Sequence, residues 1–385
     1  MRIISSTVGS PAVFWIITLF VLFLMVYFGW SIRKRKTGNV IEIKKYLIFM
    51  LPVIISFSLA EGLRYGRGQD FYHYATDLVS YDYKEYSEVL YVEWIHFFRN
   101  ILQLPYYCGF SIYALLFIVP NLIIIQKFPK MAFLSLPLLY IIIQGPFENL
   151  IRQYFSLSFV LLAYCAFLYN KKWSIVLLCI ISLLIHTSIF IVVLIMLSAM
   201  LKTASLKIVD YKYIFPFIYF IVFWFWDIHY FDSLTMYIAL LNFGDDQLQR
   251  YIEDSERWFT SDGVLDIVNS GSIIYKFIKC SFICGILYCG TNIIKINWKY
   301  SFLYISAFLA LFFEVFSQDI ELWTRFGFMF NFAISIIISF VLIDLKLNKI
   351  LKYVLIVFFI YLYIYPFILR IGSKSSWGYA FVWDL

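Results

Sequence analysis

Charge is what this chain has least of. Asp, Glu, Lys and Arg make up 14% of its 385 residues, against about a quarter in a soluble domain. Hydrophobic residues reach 63%, aromatics 22% and the mean hydropathy +0.83, which together exclude a water-soluble globule. Histidine is scarcer still, with four in all, and the six cysteines form no CxxC pair. Cys108, Cys165, Cys179, Cys280, Cys284 and Cys289 sit in or beside apolar runs, where small buried thiols are common, so neither a disulfide framework nor a metal site is expected. The sequence holds no P-loop, no Rossmann glycine pattern, no HExxH and no GxSxG, and Asp245-Asp246 is not a spaced DxD pair. No cofactor is expected. The formal charge of +7 would suggest nucleic acid in a soluble protein. Here the basic residues cluster in short loops, which makes them a topology signal, and no nucleic-acid partner is implied.

What the chain has in abundance is membrane-length apolar runs. They are Pro11 to Ile32, Tyr46 to Gly62, Tyr107 to Gln126, Met131 to Gly145, Leu150 to Asn170, Tyr213 to His229, Ser272 to Ile294, Tyr300 to Phe316, Trp323 to Ile343 and Lys352 to Leu369. The stretch Trp173 to Leu201 is too long for one upright helix and is interrupted by His186, Thr187 and Ser188. It reads as two short spans meeting at His186, with one tilted helix as the alternative. The expectation is an all-α polytopic membrane protein of about twelve spans, forming one integral membrane domain over residues 1–385. Arg33-Lys34-Arg35-Lys36, Lys44-Lys45, Lys127 with Lys130, Lys171-Lys172, and Lys202 with Lys207 and Lys212 then face the cytoplasm, with both chain ends outside. Residues 63–106 become an external loop with an interfacial or re-entrant helix at Val92 to Leu104. Residues 230–271 become a large external loop containing a short amphipathic helix.

Ionisable residues at membrane depth need a partner or a water-filled cavity, so they are candidates for function. Arg64 to Tyr74 places two arginines, an aspartate and a histidine just beyond an apolar run. Arg64 and Arg67 offer planar donor forks to phosphate oxygens, Gly66 and Gly68 permit close backbone approach to a ligand, and Asp70 adds a carboxylate. Arg152 begins a span, with Glu148 four residues earlier as a local ion-pair partner. Arg325 lies just inside another span, near Asp319 and Glu321. His186 suits a base, a phosphate donor or a hydrogen-bonding plug between helices. Lys276 and Lys279 suit snorkelling to headgroups. Arg64, Arg67, Arg152 and Arg325 map to one outer level, with Asp70, Glu148 and His186 among them. Guanidinium forks there suit the diphosphate of a lipid whose tail stays in the bilayer, and a carboxylate or imidazole suits proton removal from a sugar hydroxyl.

Four stretches carry a family resemblance: LRYGRGQDFYHY (Leu63 to Tyr74), NLIRQYFSLSF (Asn149 to Phe159), LLIHTSIF (Leu183 to Phe190) and TRFGFMFNF (Thr324 to Phe332). In that order the chain resembles the Wzy and EpsG-type polysaccharide polymerases that extend O-antigen, capsule or exopolysaccharide. Gln69 and Phe71 depart from the family's R-x-G-x-G-T-D-Y pattern, and Arg67 adds a charge. The resemblance implies a GT-C-like, metal-independent glycosyltransferase of the bacterial plasma (inner) membrane, acting on its outer face. It implies transfer of a growing glycan from undecaprenyl diphosphate to a lipid-linked repeat unit, with a chain-length regulator and a flippase as partners.

On that reading Arg152 and Arg325 stabilise the leaving diphosphate, where negative charge grows. Arg64 and Arg67 serve either diphosphate or hold Asp70. Asp70 is the first choice of base, then His186, then Glu148. Tyr72 and Tyr74 suit stacking on sugar rings. An O-antigen ligase shares the donor, and a lipid-linked oligosaccharide transporter or flippase would use the same arginines without chemistry.

Overall fold

The computed structural model describes residues 9–34, 42–68, 70–80, 88–226, 272–317, 321–372 and 380–382. The expected external loop at 230–271 lies outside the described residues, as do 81–87 within the 63–106 segment. Helices dominate, as a lipid environment demands when every backbone polar group must be satisfied within the chain. In order they are α1 (Pro11–Lys34), α2 (Ile43–Phe49), α3 (Leu51–Gly62), α4 (Phe71–Val79), α5 (Val89–His96), α6 (Tyr106–Ile125), α7 (Ala132–Asn149), α8 (Ile151–Leu168), α9 (Lys172–Ile185), α10 (Phe190–Ser198), α11 (Lys202–Asp210) and α12 (Ile214–Phe225). After residue 271 come α13 (Ile273–Gly290), α14 (Asn292–Ile296), α15 (Ser301–Phe316), α16 (Glu321–Phe328), α17 (Phe332–Ser339), α18 (Lys349–Phe359) and α19 (Tyr365–Gly372).

The chain is a multi-pass helical membrane protein, with fewer unambiguous crossings than expected. Among the described residues seven helices are long and apolar enough to cross a membrane, and nine if each of two bent pairs counts as one span. The pairs are α2 with α3, bent by 58°, and residues 187–198 with α11, bent by 82°. The remaining three expected crossings fall on short apolar helices, Lys172–Ile185, Ile214–Phe225 and Phe332–Asp344. A 14-residue helix such as α9 rises only about 21 Å, short of the roughly 30 Å of hydrocarbon, so these three are not among the helices long enough to cross upright on their own. At His186 the backbone is extended, with φ −159° and ψ 117°, so a single tilted helix through 173–201 does not form.

The central core packs α1 on α7, α3 on α6, α6 on α8, α8 on α9, and α17 on both α7 and α15. The stretch Val92 to Leu104 falls on α5 and the π-helical turn Phe97–Leu102 that prolongs it. It packs with α4, α6 and the start of α8 in a separate aromatic cluster containing Phe71, Tyr91, Phe98, Phe110 and Phe155. Residues after Arg67, expected as loop, are largely helical, since α4 begins at Phe71.

The bundle's two ends differ chemically. At one end Lys130 pairs with Asp344 at 3.3 Å, Lys127 lies over the Tyr169 ring at 3.8 Å, and Lys299 binds Asn170 at 2.6 Å. At the other end lie the C-termini of α3, α7 and α9 and the N-terminus of α8, which carry the candidate residues. Lys279, expected to snorkel, instead reaches Glu314 on α15 at 2.8 Å.

Residues 380–382 form a strap across the candidate end. Tyr65 N–H donates to the Ala380 carbonyl and Val382 N–H to the Leu63 carbonyl, each at 2.9 Å, and Phe381 is buried. Ending the chain after position 379 removes these contacts and the burial of one phenylalanine, about 2 kcal/mol. The shortened protein is expected to melt at lower temperature in detergent and to be cut faster by protease near residues 63–68. Unchanged melting and cleavage would contradict the strap's role.

Candidate functional site

The candidate residues separate into two adjoining groups. The first is a fully buried charge network. Arg64 Nη1 donates to Glu61 Oε2 at 3.0 Å and Nη2 to the Glu148 carbonyl at 3.2 Å. Arg67 Nη2 lies 3.3 Å from Glu148 Oε1 and donates to the Ala60 carbonyl at 3.3 Å. The Arg67 guanidinium sits 4.8 Å from the ring centres of both Phe14 and Phe381, joining α1 to the terminal strap. Arg64 is 0% exposed and Arg67 3%, so their forks point into protein. Two arginines and two glutamates balance, which is what makes charge tolerable at this depth.

Backbone shape delivers these arginines. Gly66 and Gly68 have φ of +65° and +98°, a region that costs other residues strain. The close approach at Gly68 is to the protein itself, since a Cβ there would collide with the Glu148 carbonyl oxygen. The local Glu148–Arg152 pair does not form. Helix α7 continues through Pro146 to Asn149, Leu150 breaks it with φ −104° and ψ 45°, and α8 starts at Ile151. Four-residue spacing aligns side chains only within one helix. Glu148 therefore turns to Arg67, and Arg152 turns elsewhere.

Arg152 belongs to the second group. Its Nη1 donates to Glu88 Oε2 at 3.1 Å, over the Tyr91 ring, and Glu88 Oε1 lies 3.0 Å from His186 Nδ1. Burial opposes ionisation of Glu88, but the His186 hydrogen bond and the Arg152 charge outweigh it and hold its pKa below the usual carboxylate value. An ionised carboxylate only accepts, so Nδ1–H is the donor and Nε2 of the neutral ring keeps its lone pair. That Nε2 is buried and has no hydrogen-bond partner among the described residues. Burial lowers the His186 pKa, and the charges of Arg152 and Arg325 lower it further against the raising effect of Glu88.

Arg325 thus bears on His186 from α16, across the site. Tyr74 lies in the same field: burial raises its phenol to about 12, with Arg152, Asp70, Arg325 and Asp77 all acting on it. Asp70 is half-buried at the start of α4, and Tyr72 packs edge-on to Tyr65 with ring centres 6.0 Å apart. Direct contacts thus join Arg152, Glu88 and His186, with Arg325, Tyr74 and Asp70 within electrostatic reach of them, while Arg64, Arg67 and Glu148 belong to the separate buried network. Three buried acids were not singled out from sequence. Glu61 had a signal, an acid inside an apolar run with Arg64 three residues on. Glu88 and Asp77 had none, because they sit in a tyrosine-rich polar stretch where carboxylates are ordinarily solvated.

Two hollows flank the site. One, of about 390 Å³, lies between α7, α15, α16, α17 and α19, with Glu314, Ser317, Thr324 and Asn331 among apolar walls. The other, of about 290 Å³, is an apolar groove between α5, α8 and α9.

The described residues thus form a multi-pass helical bundle that carries paired arginines, an oriented histidine and two flanking hollows at one end. The family model for the EpsG family matches residues 46–381, and the chain belongs to that family of polysaccharide-polymerase-like membrane proteins. No curated protein and no solved structure matches it. The matched stretch ends at the strap residue Phe381.

The buried network yields a stability test. Arg64→Met leaves Glu61 buried without its cation and is expected to cost about 3–5 kcal/mol. The double variant Arg64→Met/Glu61→Leu is expected to regain most of that loss in thermal melting. Additive losses would contradict the pairing.

Proposed function

We propose that this protein lengthens a surface polysaccharide by transferring a growing glycan from undecaprenyl diphosphate to a lipid-linked repeat unit. The reaction runs at the outer face of the bacterial plasma membrane. One observation carries the reading: Glu88 bridges Arg152 and His186, and His186 Nε2 has no hydrogen-bond partner among the described residues, within the field of Arg152 and Arg325.

In the step, an acceptor hydroxyl oxygen bonds to the donor's anomeric carbon and its proton passes to His186 Nε2. The bond from that carbon to the diphosphate oxygen breaks, and the electron pair leaves with the diphosphate. Arg152 and Arg325 stabilise the growing negative charge, as fixed cations do in a site shielded from water. Glu88 holds the tautomer and stabilises the imidazolium that forms. His186 precedes Asp70 as base because its Nε2 lone pair has no partner among the described residues and its ring is held by Glu88. Arg64, Arg67 and Glu148 position the Arg64–Tyr74 segment and the start of α8 without touching substrate. Tyr72 and Tyr74 border the sugar, and a flippase and a chain-length regulator are the partners this role requires. The basic end of the bundle faces the cytoplasm on this reading.

The test is an assay of purified protein in nanodiscs with an undecaprenyl diphosphate-linked repeat unit, read as a ladder on a gel. Wild type is expected to form a ladder, Arg152→Ala and Arg325→Ala to lose it, and His186→Gln to slow it by roughly a hundredfold or more. Asp70→Asn is expected to fall less than His186→Gln, and the reverse order would return the base to Asp70. Activity should fall as pH drops through the His186 pKa, with the acid limb below the ordinary imidazole value of about 6.5. Intact lipid substrate crossing liposomes, with no ladder from any repeat unit, would replace the polymerase with a transporter.

A further inference from the structure

The apolar groove beside the site is lined by Leu90, Trp94, Phe97, Phe155, Phe159 and Ile185, with the exposed Glu93 at its rim. It is continuous with the reacting groups at two points. Ile185 immediately precedes His186. On α8, Arg152, Phe155 and Phe159 fall at i, i+3 and i+7, one face of the helix, so a strip about 10 Å long runs from the cation down into apolar surface. The strip is walled by aromatic rings: Trp94 and Phe155 have centres 5.7 Å apart, Phe155 and Phe159 5.6 Å, and Trp94 and Phe97 6.0 Å. Trp94 is fixed by its Nε1–H bond to the Tyr113 hydroxyl at 2.8 Å, so the wall is preformed.

We infer that this groove holds the isoprenoid tail of the donor, the lipid whose diphosphate leaves, and not the tail of the acceptor. The inference rests on the polymerase reading and deepens it. In the donor the diphosphate is attached directly to the carbon under attack, so it must lie within a few ångströms of the base. In the acceptor the reacting hydroxyl is at the far end of a repeat unit, remote from its own diphosphate. Among the described residues, Arg152 is the cation joined to the oriented histidine, through Glu88. The apolar surface that continues from Arg152 therefore belongs to the donor. A chain of methyl-branched alkene units suits aromatic faces, whereas the roughly 390 Å³ hollow beside Arg325 has Glu314, Ser317, Thr324 and Asn331 in its walls and suits a more polar occupant.

The test places a photoreactive phenylalanine analogue at Phe97 or Phe159, and a control at Ile180 on the outward face of α9. The probe is a radiolabelled undecaprenyl diphosphate-linked glycan in nanodiscs. Labelling at Phe97 and Phe159 is expected to be competed by sugar-free undecaprenyl diphosphate and not by added phospholipid, while labelling at Ile180 responds to both alike. In parallel, Phe159→Trp narrows the groove. It is expected to raise the ratio of KM for a long-tailed donor to KM for a ten-carbon-tailed donor by roughly tenfold, and Ile180→Trp is expected to leave that ratio alone. Phospholipid competing as well as the isoprenoid at Phe159, or an unmoved KM ratio, overturns the inference. With ladder synthesis intact, such a result removes only the groove's role. Loss of ladder synthesis in wild type removes the polymerase reading, and the competition at Phe159 still reports on the groove.

Discussion

Charge inside a membrane protein must be answered by charge, and the pairing of Arg64 and Arg67 with Glu61 and Glu148 is the constraint on which the rest of this structure depends. It ties the end of α3, the 63–68 turn and the α7–α8 junction into one buried knot, with Phe14 and Phe381 stacked on Arg67 from opposite ends of the chain. Removing any one member leaves an uncompensated ion, which is far more costly than removing a surface pair. The knot also decides what Arg152 does. With Glu148 engaged and the helix broken at Leu150, Arg152 is directed to Glu88, and through it to His186.

The group beside the knot is built differently. The knot is closed and neutral, but the neighbouring group gathers Arg152 and Arg325 around one oriented imidazole whose outer nitrogen has no partner among the described residues. In the proposed reaction, the neutral base takes a proton at one point while the cations stabilise the anion released at another. Membership of the EpsG family is in keeping with that chemistry.

Much of this was legible in the sequence. Apolar runs mark the helices because lipid leaves the backbone little alternative, and an arginine near a span end is conspicuous because it is expensive. Interruption at His186-Thr187-Ser188 gave the break between α9 and α10. What could not be read was which charge meets which. Arg152 looked paired with Glu148 by spacing, yet one broken residue between two helices undid that register. Glu88 is 98 positions from His186, and only the packing of α5 on α9 brings them together. Arg64 and Arg67 looked like open forks because burial of the 63–68 turn depends on the terminal strap, more than 300 residues away in sequence. A 14-residue apolar helix and a 20-residue one look alike in sequence, so the expected twelve spans stand against seven to nine candidate crossings among the described residues.

The most direct test is whether Glu88 acts through His186. Single-turnover glycan transfer would be measured for Glu88→Gln, His186→Gln and the double variant, with Arg152 retained. If Glu88 acts chiefly through the imidazole, the double variant will be about as slow as His186→Gln alone, because Glu88 then has no ring left to orient and keeps only its bond to Arg152. Losses that multiply, with the double variant slower than either single one by the product of their effects, would mean that Glu88 and His186 act independently and would contradict the account.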